Sequence, residues 1–196
     1  CELMQLGSAA IRKVAKENDK DIRIAVHFTN PSSKSFIDYA ENLKTYGVDY
    51  DIFATSYYSF WHGTTEKLTS QLALIAERYG KDVLVMETSY AYTNDDGDGF
   101  ANSVSLETEN LVLNYEFSEQ GQVNAIRDVM QAVSDVGDAG LGMFYWEPAW
   151  IPVQVYDPSA SDASEVLASN HEKWETYGSG WASSFAKTYD PNDAGK

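Results

Sequence analysis

The sequence predicts an α/β fold of parallel strands, and it favours a (β/α)8 barrel, of which this chain would supply about half, over a doubly wound sheet. Helical and strand-like segments alternate four times along the 196 residues, and repeated β–α units imply parallel strands with right-handed crossovers. Polar and aromatic residues follow the predicted strands at their carboxyl ends, where barrel enzymes place their sites. The glycine fingerprint of the dinucleotide-binding folds is missing, since Gly140-Leu-Gly142 lacks the third glycine.

Four segments have the apolar spacing of a helix with one buried face. In the first, residues 2–17, apolar positions recur at steps of three and four. The fourth, from Val123 to Val136, is the most regular. Gly47 and Gly80 follow the two middle helices, at positions where a left-handed C-cap costs glycine least. The apolar positions of those two helices are Phe36, Ile37, Ala40 and Leu43, and then Leu68, Leu72, Ile75 and Tyr79.

Four short segments, at residues 21–27, 51–57, 82–88 and 140–146, are predicted to be strands because they are rich in β-branched and aromatic residues. The stretch from Tyr92 to Glu116 is longer than an ordinary unstructured connection, so we expect it to be functional or ordered by another group. After Pro152 the periodicity fades, and the chain from there to Lys196 is predicted to be loop.

The predicted strands are too few to close a barrel. A (β/α)8 barrel needs eight strands and typically about 250 residues, whereas this sequence offers four strands in 196 residues. We therefore expect residues 1–196 to form about half of a single (β/α)8 domain whose remaining half lies elsewhere.

Charge and composition exclude several classes of partner. The net charge of −16 argues against binding to nucleic acid, which calls for a basic surface, and against an anionic membrane surface. No apolar run approaches the roughly 20 residues of a membrane span. Cys1 is the single cysteine, so no intrachain disulfide and no cysteine-based zinc site can form.

Two carboxylates at strand ends are candidates for chemistry. Glu87 ends the apolar run Val83-Leu-Val-Met86, and a carboxylate there is costly to desolvate unless it is hydrogen-bonded or functional. It could be a nucleophile or base, or a structural group bound to a loop amide. Glu147 follows Trp146, and its pattern favours a carboxylate that orients its neighbours. His27 could bind substrate or Glu87, or satisfy the core.

Aromatic residues near these strand ends suit sugar rings. Apolar sugar faces stack on aromatic surfaces, and sugar hydroxyls need polar partners nearby. The same residues could instead be ordinary core aromatics, although the loop-like residues beside them favour a site. The candidates of this kind are Tyr57, Tyr58, Trp61, Trp146 and Trp150, with Ser56 and His62 between or beside them.

The segment Asn94-Asp-Asp96-Gly-Asp98-Gly99 places oxygen ligands at alternate positions, as the start of an EF-hand loop does. The twelfth position is Ser105 instead of a bidentate glutamate, so the segment is not an EF-hand. Both a calcium loop and a solvated acidic turn fit this pattern.

Taken together, four motifs resemble glycoside hydrolase family 53, the endo-β-1,4-galactanases or arabinogalactan endo-β-1,4-galactosidases. The resemblance also includes Trp174 to Trp181 and runs in order over almost the whole chain. The motifs are Val26-His-Phe-Thr-Asn30, Ser56-Tyr-Tyr-Ser-Phe-Trp-His-Gly63, Val85-Met-Glu87-Thr-Ser-Tyr-Ala-Tyr-Thr93 and Leu141-Gly-Met-Phe-Tyr-Trp-Glu-Pro-Ala-Trp-Ile-Pro152.

The resemblance implies a retaining hydrolase of β-1,4-galactan or arabinogalactan in which Glu87 is the nucleophile. The family's acid/base is a glutamate in an Asn-Glu pair that ends strand four, and no such pair fits here, so we expect it upstream of Cys1. Residues 1–196 would then hold strands five to eight, the C-terminal part of a single (β/α)8 catalytic domain. Tyr57 or Tyr58 would donate a hydrogen bond to Glu87, and Trp146 would lie beneath the sugar at the cleavage point. The expected substrate-binding residues are His27, Asn30, Ser56, Tyr57, Tyr58, Trp61, His62, Trp146, Glu147 and Trp150.

The resemblance further implies a structural calcium ion held by Asp96, Asp98 and Asn102, although Phe100 stands where some members have histidine. Galactan is neutral and does not oppose an acidic protein, which fits a secreted or cell-surface protein of bacterial type. The alternative function is a half-barrel or degenerate relative that binds galactan without cleaving it.

Overall fold

A computed structural model describes residues 1–95, 102, 104–146, 154 and 157–177. Four helices and four strands alternate through the first 146 residues, and a fifth helix follows. The elements are α1 (Glu2–Glu17), β1 (Ala25–Thr29), α2 (Phe36–Thr45), β2 (Ile52–Ser56), α3 (Thr65–Tyr79), β3 (Asp82–Thr88), α4 (Glu119–Ser134), β4 (Gly140–Tyr145) and α5 (Ala163–Tyr177). None of the described helices is long and apolar enough to cross a membrane.

The four strands form one parallel sheet in the order β1-β2-β3-β4. Each strand therefore lies beside the one that precedes it, and the order never reverses as it does in a doubly wound sheet. Successive right-handed crossovers of this kind place the connecting helices α2, α3 and α4 on the same face. The sheet is the arrangement of a partial (β/α)8 barrel, as the sequence predicts.

Helices α2, α3 and α4 cover one face of this sheet, which we call the helix-covered face. These helices and the strands share one buried core, which includes Phe36 of α2, Leu72 of α3 and Val133 of α4. The strand residues of that core are Val26, Phe53, Val83 and Val85. Ile52, Ala54 and Leu84 point the other way and form a small separate cluster with Met86. We call their side of the sheet the opposite face.

The helix ends follow from local sequence. Thr64 caps α3 by accepting a hydrogen bond from the Lys67 amide at 3.3 Å, and Ser118 caps α4 through the Gly121 amide at 3.0 Å. Gly80 ends α3 with φ +61°, the left-handed conformation that the sequence predicts there.

Two predicted elements differ from the structure. The first strand is present but begins at Ala25, not at residue 21. Before it, the Ile22 carbonyl accepts from the Arg12 side chain and the Ile24 amide donates to the Asp51 side chain, instead of to a neighbouring strand. The chain after Pro152 contains α5, although it was predicted to be loop. The apolar residues of α5 do not gather clearly on one side of the helix, so its periodicity is weak.

The chain divides into two compact units. The first comprises residues 1–92 and 110–146 and contains the whole sheet. The second comprises residues 93–109 and 147–196, and its described part contains α5. Within the second unit, the Asn170 side chain exchanges two hydrogen bonds with the backbone of Gln154, at 2.9 and 2.7 Å.

Candidate active site

Glu87 lies near the carboxyl end of β3, and its side chain is on the opposite face of the sheet. Strict alternation from Leu84 would turn it toward the helices, beside Val83 and Val85. The pairing of β2 with β3 instead shifts by one residue, so that Thr55 pairs with Val85 but Ser56 pairs with Glu87. This β-bulge reorients the carboxylate, as bulges beside active sites commonly do.

Two hydroxyl groups donate to the same carboxylate oxygen of Glu87. Ser56 Oγ lies 3.0 Å from Glu87 Oε2, and the Tyr58 hydroxyl lies 3.2 Å from that atom. The side chain of Glu87 is 23% exposed. The two donors orient the carboxylate from one side and leave it partly accessible to solvent.

His27 extends this hydrogen-bonded group. Its register partner is Ala54 of the opposite face, and its Nε2 lies 2.8 Å from Ser56 Oγ. Because Ser56 has one proton and donates it to Glu87, the hydroxyl must accept from His27. His27 Nδ1 is 3.9 Å from Glu87 Oε1. The structure therefore brings His27, Ser56, Tyr58 and Glu87 together, and His27 contacts Glu87 through Ser56.

Tyr57, which was predicted to bind substrate, lies in the core. It is 1% exposed, and its hydroxyl donates to the Gly63 carbonyl at 2.9 Å instead of to Glu87. Burial raises the pKa of Tyr57 to about 12. The backbone of Tyr57 still serves the site, since its amide donates to the Glu87 carbonyl at 2.8 Å. Of the two tyrosines predicted to bind Glu87, Tyr58 is the one that does so.

His62 is also buried, so it has no surface to offer a sugar. Its Nδ1 accepts a hydrogen bond from the Tyr58 amide at 3.1 Å, which closes the turn after β2. Burial lowers the pKa of His62, while a hydrogen bond with the Ser56 backbone opposes that shift. The described contacts of His62, which was predicted to bind substrate, therefore lie within the turn.

Asn30 follows β1 in a left-handed conformation, with φ +58°. Its side-chain oxygen accepts from Ser32 Oγ at 2.7 Å, and its backbone carbonyl accepts from the Ser33 amide at 3.0 Å. Both bonds stabilise the turn between β1 and α2. Asn30 is partly buried, and these contacts give it a structural role in the turn.

Two tryptophans near the strand ends expose large aromatic surfaces. Trp61 is 47% exposed and packs edge-on against the ring of Tyr58, with the centroids 5.8 Å apart. Trp146 is 48% exposed, and its amide donates to the Thr88 carbonyl at 2.9 Å, directly beyond Glu87 along β3. These rings are available for stacking on a sugar.

Of the other predicted site residues, only Asn102 lies in the described part of the chain. Glu147, Trp150, Asp96 and Asp98 lie outside the described residues. Asn102 is exposed, and its Nδ2 donates to the Asp95 carbonyl at 3.3 Å. Within residues 1–95, 102, 104–146, 154 and 157–177, no group of three metal-ligating side chains converges.

An aromatic cluster that was not predicted from the sequence supports the turn after β2. Phe60 stacks on Tyr90 with the ring centroids 4.5 Å apart, and the Tyr90 hydroxyl donates to the Tyr115 carbonyl at 2.7 Å. The amide of Val112 donates to the Phe60 carbonyl at 3.1 Å. The abundance of aromatics in 57–63 and 90–117 signals this packing, but the pairing of the rings depends on the fold.

Comparison with known proteins identifies the family. The model of glycosyl hydrolase family 53 matches residues 1–194. The chain belongs to glycosyl hydrolase family 53. An endo-β-1,4-galactanase of Bacillus subtilis is 52% identical over 199 aligned residues, covering 100% of this chain and 43% of that protein. An arabinogalactan endo-β-1,4-galactanase of Cellvibrio japonicus is 30% identical and is matched over 76% of this chain and 39% of its own length.

Solved structures of family 53 agree with the partial barrel. The Ignisphaera aggregans GH53 catalytic domain superposes with a TM-score of 0.65 at 38% identity, over 74% of this chain and 40% of that one. A fungal β-1,4-galactanase superposes with a TM-score of 0.51 at 29% identity, over 66% of this chain and 39% of that one. The chain therefore spans about two fifths of the length of the relatives it matches.

Proposed function

We propose that the protein containing this chain hydrolyses β-1,4-galactosidic bonds within galactan or arabinogalactan, with Glu87 as the nucleophile. The observation that supports this most directly is the strand-end carboxylate of Glu87, which two hydroxyls hold by one oxygen on the face away from the helices. The names of the family 53 relatives from B. subtilis and C. japonicus supply the substrate class.

The proposed mechanism is a double displacement with retention of configuration, as the family resemblance implies. Ser56 and Tyr58 both donate to Oε2, so we propose Oε1 as the oxygen that attacks the anomeric carbon. The bond from that carbon to the leaving sugar breaks as the glycosyl ester forms. A second carboxylic acid, about 5–5.5 Å from the first, protonates the leaving oxygen and then deprotonates the water that cleaves the ester.

The second carboxylic acid belongs to the part of the barrel that this chain does not contain. The sequence has no Asn-Glu pair, which is the motif that the family resemblance requires at the end of strand four. We therefore assign β1 to β4 as barrel strands five to eight and expect the acid on strand four, contributed by the remaining half of the barrel. Trp61 and Trp146 would stack on sugar units bound along this edge, and the polymeric substrate suggests action outside the cell.

The decisive experiment replaces Glu87 in the full-length protein. Glu87→Gln keeps the shape of the side chain but removes its nucleophilic charge, so we expect kcat on galactan to fall by about 10³-fold or more. Reducing-end release measures the rate, and proton NMR of the first-formed anomer should show retention for the wild-type protein. Glu77→Gln, on the exposed side of α3, is the matched control and should leave kcat unchanged.

Three results would refute this proposal: activity retained in Glu87→Gln, an inverted product, or galactan binding by the wild-type protein without any cleavage. The last result would establish the alternative, a galactan-binding relative of the hydrolases.

We also propose that Asp96, Asp98 and Asn102 bind a structural calcium ion. Two carboxylates and one amide oxygen are the hard donors that calcium prefers, and the Nδ2 bond to the Asp95 carbonyl fixes the amide of Asn102. Calcium at millimolar concentration should raise the Tm of the full-length protein, and a chelator should reverse the rise. An Asp96→Asn/Asp98→Asn double variant that responds to calcium as the wild type does would contradict this assignment.

A further inference from the structure

The ring of His62 is hydrogen-bonded to one of the two residues whose hydroxyls hold Glu87. The Tyr58 amide donates to His62 Nδ1 at 3.1 Å. The hydroxyl of Tyr58 in turn donates to Glu87 Oε2, beside that of Ser56. A buried side chain thus holds the backbone of a residue that orients the carboxylate.

The bond from Tyr58 also determines the protonation of the ring. A backbone amide can only donate, so His62 Nδ1 must be an unprotonated acceptor and the proton of the neutral ring is on Nε2. Burial, which disfavours the imidazolium, lowers the pKa of His62 and so supports the neutral form. The rings of Tyr57, Tyr58 and Trp61 surround the imidazole, with centroids 6.4, 5.9 and 6.4 Å from its own.

We propose that His62 is a positioning residue for the hydrolytic reaction, and that its unprotonated Nδ1, by holding the Tyr58 amide, aligns the Tyr58 hydroxyl on Glu87 beside that of Ser56. The inference rests on the proposed function of Glu87. His62 itself contacts neither the carboxylate nor a sugar in this scheme. Its contribution is to the geometry of the attacking group, so it acts on kcat and leaves substrate binding to the exposed aromatic residues.

Two variants of similar shape distinguish the effect of the hydrogen-bond acceptor at His62 from the effect of its packing. In His62→Asn, the side-chain oxygen stands the same number of bonds from the backbone as Nδ1 and can accept from Tyr58. His62→Leu fills a similar volume without an acceptor. In the full-length protein we expect His62→Leu to lower kcat on galactan by about 10-fold to 100-fold, the loss that a displacement near 1 Å can cause, with KM within about twofold. His62→Asn should recover most of that loss.

A further comparison tests whether His62 acts through the two hydroxyls. In a Ser56→Ala/Tyr58→Phe background the donors are gone, so His62→Leu should lower kcat by less than about twofold. Hydrogen exchange at the Tyr58 amide gives a readout independent of activity: exchange should be slow in the wild type and in His62→Asn, and faster in His62→Leu. Circular dichroism establishes that each variant is folded.

Equal kcat values for His62→Asn and His62→Leu would overturn the proposal, as would a full loss in the background that lacks both hydroxyls. Failure of the underlying function is distinguishable. If Glu87→Gln remains active, the nucleophile assignment is wrong. If Glu87→Gln is inactive while His62→Leu is fully active, the function stands and the role of His62 is wrong.

Discussion

The two faces of the sheet contain the same strands but serve different purposes. On the helix-covered face, Phe53 and Val83 are completely buried among apolar side chains of three helices. On the opposite face, His27, Ser56 and Glu87 form a hydrogen-bonded group that remains partly exposed. Apolar burial stabilises the fold, whereas polar groups held at a strand end are the arrangement that chemistry requires.

The place of Glu87 on the opposite face depends on an irregularity of the backbone. Residues before the bulge alternate regularly, with Phe53 and Val85 toward the helices and Ala54 and Leu84 away from them. The shift between Thr55 and Ser56 adds one residue to β3 and brings Glu87 to the opposite face. The position of the carboxylate therefore depends on strand pairing. Regular alternation within β3 would have placed Glu87 on the helix-covered face.

The largest expected effect is a loss of stability from a variant that creates a cavity on the helix-covered face. Phe53→Ala removes a fully buried ring that contacts those of Phe28 and Phe36, and we expect it to lower the free energy of unfolding by about 3–5 kcal/mol. Urea unfolding of the full-length protein measures the loss. Tyr46→Ala removes a ring that is mainly exposed and should cost less than about 0.5 kcal/mol. If Phe53→Ala instead spared stability and abolished kcat, the division between the faces would be wrong.

A smaller effect, on kcat instead of on stability, is expected from Tyr58→Phe. The change removes one hydroxyl donor from Glu87 Oε2 and retains the ring beside Trp61. We expect kcat on galactan to fall by about 10-fold to 100-fold, while the free energy of unfolding changes by less than about 1 kcal/mol. Tyr39→Phe, on α2, is the matched control. Similar kcat values for Tyr58→Phe and the wild type would remove Tyr58 from the site.

Much of the fold could be predicted because its signals are local. Helical periodicity, Gly80 at a helix end and the apolar run of β3 each depend on neighbours in the sequence, and the structure agrees with all of them. Segment 21–24 was predicted to be strand because its own residues favour one. The Ile22 carbonyl and the Ile24 amide instead pair with the side chains of Arg12 and Asp51, and local sequence does not reveal those contacts.

The candidate site was predictable in position but not in detail. Strand ends that carry polar residues indicated where Glu87, Ser56 and Tyr58 would meet. The choice between Tyr57 and Tyr58 depends on where β2 ends and which way the turn proceeds, because adjacent residues point to opposite sides. The contact of His62 could not be predicted for a different reason. Nothing in the local sequence indicates that the Tyr58 amide donates to its Nδ1.

The smallest expected effect comes from charges that join α1 to the sheet. Arg12 is hydrogen-bonded to Asp49 and Asp51, at 2.8 and 2.9 Å. Arg12 holds the pKa of Asp49 below its ordinary value of 3.8. For Asp51, burial raises the pKa, but hydrogen bonds from the Ile24 amide and Arg12 outweigh it, so the pKa is lowered from 3.8. Carboxylates with lowered pKa stabilise the fold above 3.8, and that stabilisation is lost as the pH falls through their pKa values in the folded protein.

Arg12→Gln should therefore destabilise the protein near neutral pH and shift the onset of acid unfolding to higher pH, whereas the difference from wild type should shrink below pH 3.8. Thermal unfolding as a function of pH measures both effects. Lys13→Gln removes the same charge from the next residue, which is paired only with Glu17 among the described salt bridges, and it should follow the wild-type curve. A pH-independent loss in Arg12→Gln would mean that the arginine contributes through packing and not through its ion pairs.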